Sequence, residues 1–291
     1  VSRLKLEHLR TFLTVAHFNS VSRAADVLNL TQPAVTSRIK SLEDALNTAL
    51  FDRSTGGMRL TKRGDMLLQY ATQFQQLSEL VERNIVDSSG VDRLMRLGVS
   101  ETIAQSWLPD FVGALRAAYP VLKIEISVDI SINLREQLLG REIDLAILLG
   151  PISDFTVDNV ILPDVPLGWF SAPGIAAPTD LASIPIATYA RNTRPFRELR
   201  AALFERFGPD ISMFPSSSLS SCFRMVEAGL AVGALPVSLG TALVKEGKLA
   251  RFDPGWTPEP LKFSASYLGE PRSQLIERAA KIAESTAAAR V

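Results

Sequence analysis

Histidine and cysteine are nearly absent: the 291 residues hold two His (His8, His17) and one Cys (Cys222). A single thiol closes no internal disulfide, so a disulfide framework is excluded and a reducing compartment is expected. Three scattered ligands cannot complete the tetrahedron of a structural zinc, and so little His removes most imidazole-dependent catalysis. No catalytic residue, metal or cofactor is assigned. Long apolar runs are missing too: Ile143 to Leu149 and Ala228 to Val237, the longest, fall well short of the roughly 18–20 residues that cross a bilayer. At the N-terminus, Val-Ser-Arg-Leu-Lys-Leu-Glu-His places charge where a signal peptide needs its apolar core. A soluble, cytoplasmic chain without a membrane partner is the expectation. Glycine and proline, 17 each, are near average, which excludes collagen-like and low-complexity classes, and 46% hydrophobic content supports two or three folded domains.

Net charge is the last thing lacking, at zero overall. A nucleic-acid binder is expected to carry a basic excess. From Val1 to Gly64, however, ten Lys and Arg face five acids. That segment is +5, and the remainder therefore carries −5. A basic head on an acidic body suggests a nucleic-acid module attached to a second function.

Within the head, Leu6, Leu9, Phe12, Leu13, Ala16 and Phe18 recur at helical spacing and stop near Asn19. Ser22 is the expected cap of a second helix, Arg23 to Asn29, whose Ala24-Ala25 pair allows close approach. Asn29-Leu30-Thr31 is a tight turn, Thr31 an N-cap, and Pro33 sits where first-turn N–H groups have no partner anyway. The third helix runs to Leu46 with Val35, Ile39, Leu42 and Leu46 inward. Gln32, Thr36, Ser37, Arg38 and Lys40 lie on or beside the other face, and Asn47 is a left-handed stop. Two helices joined by a short turn, the second polar and basic, form a helix-turn-helix suited to the major groove. Phe51 to Thr61 reads as two short strands about Gly56-Gly57, with Arg53 and Arg59 at the flanks: a wing.

The runs Leu6-Glu7-His8-Leu9-Arg10-Thr11-Phe12, Ser22-Arg23-Ala24-Ala25-Asp26-Val27-Leu28-Asn29-Leu30-Thr31-Gln32-Pro33-Ala34-Val35-Thr36, Leu50-Phe51-Asp52-Arg53 and Leu60-Thr61-Lys62-Arg63-Gly64 resemble the winged helix-turn-helix of LysR-type transcriptional regulators. Asn47 stands where that family usually has Gly. The resemblance implies double-stranded promoter DNA as partner. Thr31, Gln32, Pro33, Thr36, Arg38, Lys40 and Arg53 are the candidate DNA-contacting residues.

Thr61 caps a further helix on which Leu67, Tyr70, Phe74, Leu77, Val81 and Ile85 alternate three and four apart, a coiled-coil seam of about three heptads. Its first turn is expected to pack on the head and the rest to dimerise. The resemblance implies an antiparallel homodimer through this linker, a homotetramer, and RNA polymerase as a further candidate partner. Asp87-Ser88-Ser89-Gly90 is the expected hinge.

From Arg93 strands and helices alternate, restarting after Pro173, which specifies two α/β units around parallel sheets, with a ligand cleft outside the carboxyl ends of the strands. The fold class is thus α/β overall: a winged helix-turn-helix at 1–61, a linker helix and hinge at 62–90, and an effector-binding domain at 91–291. That domain divides into one subdomain of 91–168 with 265–291 and a second of 169–264. It resembles the family's effector domain, itself similar to periplasmic solute-binding proteins, and Met225 to Pro236 is the most family-like stretch.

Ser100 and Thr102 follow the first body strand and Ser131 the second, so each is either an ordinary helix cap or a donor to a bound anion. The resemblance favours Ser100 and Ser131 as effector contacts. Arg191, Asn192, Thr193 and Ser218 lie on loops of the second subdomain, where Arg191 or Arg194 either neutralises an acidic ligand or is simply solvated. Leu148 and Phe223 are either apolar walls or core. A small organic acid is the expected effector. Cys222 has no resolving partner and is expected to be a buried, inert thiol. No Gly-x-Gly-x-x-Gly, P-loop or Gly-x-Ser-x-Gly appears, so an enzyme is not expected. A solute-transport component would lack the basic head.

Overall fold

The computed structural model describes residues 4–52, 58–85, 94–174 and 181–290. It divides into two compact units, Val1–Val91 and Asp92–Val291.

The first unit is a helical head. Helices α1 (Leu6–Phe18), α2 (Val21–Leu28) and α3 (Gln32–Leu46) each end on an asparagine in the left-handed region, Asn19 at φ 51, Asn29 at φ 53 and Asn47 at φ 49. Asparagine tolerates this conformation better than any other residue with a Cβ, which makes it a helix stop. The N-cap of α2 is Ser20, whose Oγ accepts from the Arg23 N–H at 3.3 Å. This corrects the assignment to Ser22. Ser20 keeps an extended backbone (ψ 123), whereas Ser22 already lies inside the helix. Thr31 caps α3, accepting from the Ala34 N–H at 3.4 Å with Pro33 in the first turn.

Phe12, Val35, Ile39 and Leu42 are fully buried between these helices, and Ala24 and Ala25 let α2 approach. Each large side chain contributes roughly 1.5–3 kcal/mol through its burial. Strands β1 (Phe51–Asp52) and β2 (Arg59–Leu60) pair antiparallel, Phe51 opposite Leu60, and Phe51 packs on Phe12 with ring centroids 5.3 Å apart. Glu43 Oε1 holds the approach to β1 by accepting from Leu50 N–H (2.8 Å) and Phe51 N–H (3.3 Å). Helix α4 (Lys62–Ile85) follows. Thr61 Oγ1 caps it, accepting from Gly64 N–H at 3.0 Å while donating to Ala49 C=O at 2.8 Å. A Cβ on Gly64 would stand 2.2 Å from the Leu50 carbonyl oxygen, so only glycine fits this crossing. Leu67, Leu68 and Ala71 pack on the head core. Tyr70, Phe74, Leu77 and Val81 are exposed.

The second unit holds two sheets. The chain runs β3 (Leu94–Val99), α5 (Glu101–Ala104), α6 (Leu108–Ala118), β4 (Lys123–Val128), α7 (Ser131–Leu139), β5 (Leu145–Leu149), β6 (Val157–Ile161), then β7 (Leu167–Ser171), β8 (Ile186–Tyr189), α8 (Arg194–Phe207), β9 (Met213–Ser216), α9 (Leu219–Glu227), β10 (Val232–Pro236), α10 (Val237–Lys245), β11 (Ala250–Phe252), β12 (Phe263–Leu268) and α11 (Gln274–Ala288). The first sheet has the order β4-β3-β5-β12-β6 and the second β11-β7-β10-β8-β9.

Neither sheet is purely parallel. Strands β4, β3 and β5 are parallel, but β12 runs against both β5 and β6. In the second sheet β9, β8 and β10 are parallel while β7 opposes β10 and β11. The expectation of parallel sheets fails because β12 enters from the other sheet and not through a covering helix, the connection that enforces parallel pairing. The two crossing segments lie side by side, with Val165 and Leu261 exchanging backbone hydrogen bonds of 2.9 Å. Strand β11, three residues long, carries too short a pattern to show in sequence.

In the first layer Trp107, Phe111 and Leu115 of the α6 region bury against β3 and β5, and Ala279, Ala280, Ala283 and Ala287 seat α11 closely. A half-buried pair ties β3 to the start of β5. Asp144 Oδ2 accepts from the Arg96 backbone N–H (2.8 Å) and from Nε (3.3 Å), and Oδ1 accepts from Nη2 (2.9 Å). Such a two-pronged charged contact is strong and directional. Among the described residues no helix is long and apolar enough to cross a membrane.

Candidate DNA-reading surface and effector cleft

The start of α3 leaves Thr31, Gln32, Pro33, Thr36, Ser37 and Lys40 exposed, while Val35 and Ile39 point inward, as a 3.6-residue period requires. Several of these polar groups have internal partners. The Thr31 hydroxyl is the helix cap. Gln32 Nε2 donates to Ser22 Oγ at 3.1 Å, which pins the first turn of α3 to α2. Arg38 is half-buried, and its Nη2 meets Glu7 Oε2 of α1 at 3.0 Å. Thr36 and Lys40 stand outward on the same helix. Arg53 lies outside the described residues. Arg59 is exposed on β2 opposite Asp52.

In the body a cleft of about 450 Å³, counting its open mouth, lies at the carboxyl ends of the strands. Ser100, Thr102 and Ser131 line it from the first sheet's layer and Thr193 from the second's. Leu148, Arg191, Asn192, Ser218 and Phe223 do not line it. The reasons are geometric. Successive residues of β5 face opposite sides, so Leu148 packs with Leu134 and Leu138 while Leu149 reaches the cleft. Phe223 faces Phe170 in the second core, ring centroids 6.5 Å apart. The Arg191 guanidinium sits over the Phe196 ring at 5.9 Å, and Arg194 Nε lies 3.6 Å from Glu198. Asn192 is exposed, its carbonyl accepting from Arg197 Nη1 at 3.2 Å. Ser218 caps α9 by accepting from Ser221 N–H at 3.2 Å.

The hydroxyls that line the cleft differ in what remains available to a ligand. Ser131 Oγ accepts from Leu149 N–H (2.9 Å) and keeps its own proton to give. Thr193 Oγ1 donates to Ala190 C=O (2.6 Å) and keeps a lone pair. Ser100 is 7% exposed and its Oγ has no hydrogen-bond partner. From the second sheet Tyr189, its hydroxyl likewise buried, lines the same cleft. Burial, then the nearby Cys222 and Glu101, hold the Tyr189 phenol far above its ordinary range, so it stays a neutral donor. Thr102 stands beside it. Buried polar groups without partners are rare and mark places where a partner is expected.

Sequence reasoning named neither Tyr189 nor Glu101 and Asp129, the two lining carboxylates. Asp129 Oδ1 accepts from Ile130 N–H (2.7 Å) and Asn133 Nδ2 (2.9 Å). No lysine or arginine lines the cleft among the described residues. Tyr189 ends a strand as Ser100 follows one, so the strand-end rule that pointed to Ser100 could have found it. Cys222 is buried, donates to Thr188 C=O at 3.3 Å, and has its thiol pushed up to about 12 by burial and then by Glu101, which makes it unreactive.

Residues 6–65 match the family described as bacterial regulatory helix-turn-helix protein, lysR family, and residues 88–286 match the LysR substrate binding domain. The chain belongs to the LysR family of transcriptional regulators. It is 30% identical over 230 residues, 79% of this chain and 80% of the relative, to the regulator YofA of Bacillus velezensis. It is 27% identical to GltR of Bacillus subtilis over 84% of both. Among solved structures the fold matches CbnR, a LysR family regulator, at a TM-score of 0.70, with 18% identity, 98% of this chain and 99% of that one. It also matches full-length LysG of Corynebacterium glutamicum, solved with bound effector Arg, at a TM-score of 0.67, with 16% identity, 98% of this chain and 99% of that one. This LysR-type chain is accordingly a DNA-binding transcriptional regulator with an effector-binding domain, and its relatives are regulators and not enzymes.

Proposed function

We propose that α3 reads the major groove of promoter DNA through Thr36, Lys40 and the Gln32 amide, with Thr31, Pro33 and Arg53 at the backbone. Arg38 then positions α3 against α1 as well as contributing charge. The exposed stripe Tyr70, Phe74, Leu77 and Val81 supports a homodimer through α4, since an apolar seam this narrow suits one partner helix. Two such dimers make the tetramer that spaces the heads on DNA, RNA polymerase is a further partner, and the protein acts in the cytoplasm.

The cleft holds a small organic acid. The observation that carries this reading is the buried, unpartnered Ser100 Oγ in one cleft with the buried Tyr189 hydroxyl of the other layer, which has the Thr102 hydroxyl beside it. A ligand that satisfies both joins the two subdomains and so prefers one hinge arrangement, which is what shifting a conformational equilibrium requires. Helix α7 has no side-chain cap and presents free first-turn N–H groups beside Ser131. With Glu101 and Asp129 in the lining, the acid also carries donors of its own, hydroxyl or amino. Thermal-shift screening of intermediates made by the neighbouring operon, repeated on Ser100→Ala and Ser131→Ala, tests this. Loss of the shift in both variants is expected, and an unchanged shift defeats the cleft assignment.

A further inference from the structure

Glu101 opens α5 at the carboxyl end of β3, in the first sheet's layer, yet its carboxylate is bound by the other layer. Oε1 accepts from Ser220 N–H (3.1 Å), Ser220 Oγ (2.9 Å) and Ser218 Oγ (3.4 Å), and Oε2 accepts from Leu219 N–H. Gln105, one turn on, braces the contact: its Nε2 meets Glu101 Oε1 at 2.7 Å and Ser220 Oγ at 2.6 Å. All these donors are neutral, and those of Ser218, Leu219 and Ser220 form the start of the nine-residue helix α9. First-turn N–H groups lack intrahelical partners and carry the positive end of the helix dipole, so a carboxylate there is a bound anion. The neighbouring residue, Ser100, is more than nine-tenths buried, unpartnered, and faces the same cleft.

We propose that Glu101 is a clasp across the cleft, a carboxylate of one subdomain seated in the anion-binding N-terminus of a helix of the other. An anionic ligand group reaches the α9 terminus only by displacing it. Displacement undoes the bridging hydrogen bonds, so the identity of the anion at α9 sets how firmly the two subdomains hold together. This deepens the cleft reading above and rests on it for the ligand.

Hydrogen exchange on the full chain tests the clasp without any effector. In Glu101→Ala the amides of Leu219 and Ser220, which the carboxylate accepts from, are expected to exchange about tenfold faster than in the wild protein, while the first turn of α8, which Glu101 does not touch, is unchanged. Ser220→Ala gives a smaller increase. Sodium acetate then restores protection at α9 in Glu101→Ala and does nothing to the wild protein, a response that mere packing cannot produce. Unchanged α9 exchange in Glu101→Ala, or faster exchange that acetate leaves unprotected, overturns the proposal. Should α8 also lose protection, Glu101→Gln decides: it keeps the shape and loses the charge, and α9 exchange equal to the wild protein overturns the clasp. A failure here leaves the cleft's role standing, because the Ser100 and Ser131 variants address that separately.

Discussion

Thr31, Gln32, Thr36 and Lys40 of the head lie within one stretch of ten residues and stand exposed on a single helix. The cleft of the body instead collects Ser100, Asp129, Tyr189 and Leu219 from four segments spread over more than a hundred residues, and buries much of what it collects. The head's proposed reading surface is one face of one element, held by local caps and by the packing of Phe12 and Val35. The body's site exists only when two mixed sheets come together. A reader of a rigid duplex needs a fixed protrusion, and a sensor needs groups whose spacing changes.

That difference is open to attack. The largest effect is expected from Asp144→Ala, which strips Arg96 of three hydrogen bonds and leaves a half-buried charge. It should cost the body about 3 kcal/mol in urea unfolding while the head's transition stays in place. Gly64→Ala makes the converse cut. Intrinsic propensity favours Ala in a helix, but the new Cβ meets the Leu50 carbonyl, so the head loses about 1–3 kcal/mol and the body nothing. Thr31→Ala should cost the head about 1 kcal/mol by uncapping α3. Lys40→Ala leaves stability alone and lowers the salt dependence of DNA binding by about one counterion, whereas Arg38→Ala, which breaks the Glu7 pair, moves both. The smallest effect is a pH dependence. Burial lowers the His8 pKa below 6.5, so unfolded His8 binds protons more readily than folded. Stability of the head is then full above pH 6.5 and falls as pH drops toward the folded value. His8→Gln should flatten that slope.

The same contrast decides what could be read from the chain. Helix α3, its Thr31 cap and the Asn47 stop follow from neighbours three or four positions apart. A slip, Ser22 for Ser20, exchanged two serines two positions apart at the start of α2, and only backbone geometry separates the cap from the first turn. In the body the alternation of strands and helices was legible, but strand direction was not, because β12 arrives from the other sheet. Leu148 faces a core through the register of β5, which strand pairing supplies, and Phe223 through the face that α9 turns to the second core. Arg191 and Arg194 turn to Phe196 and Glu198, leaving the cleft without the basic group expected there. Glu101 was invisible because its partners lie 117 to 119 positions away.

On the function proposed above, DNA reading resides in α3 of the head and ligand response in the cleft of the body. Promoter-DNA affinity of the full chain, measured by fluorescence anisotropy with and without an acid that passes the thermal-shift screen, tests it directly. Thr36→Ala with Lys40→Ala should weaken binding about tenfold or more and keep the response to the acid. Ser100→Ala with Ser131→Ala should leave binding without the acid unchanged and abolish the response. The reverse pattern, cleft variants that lose DNA or head variants that lose the response with affinity intact, would contradict the account.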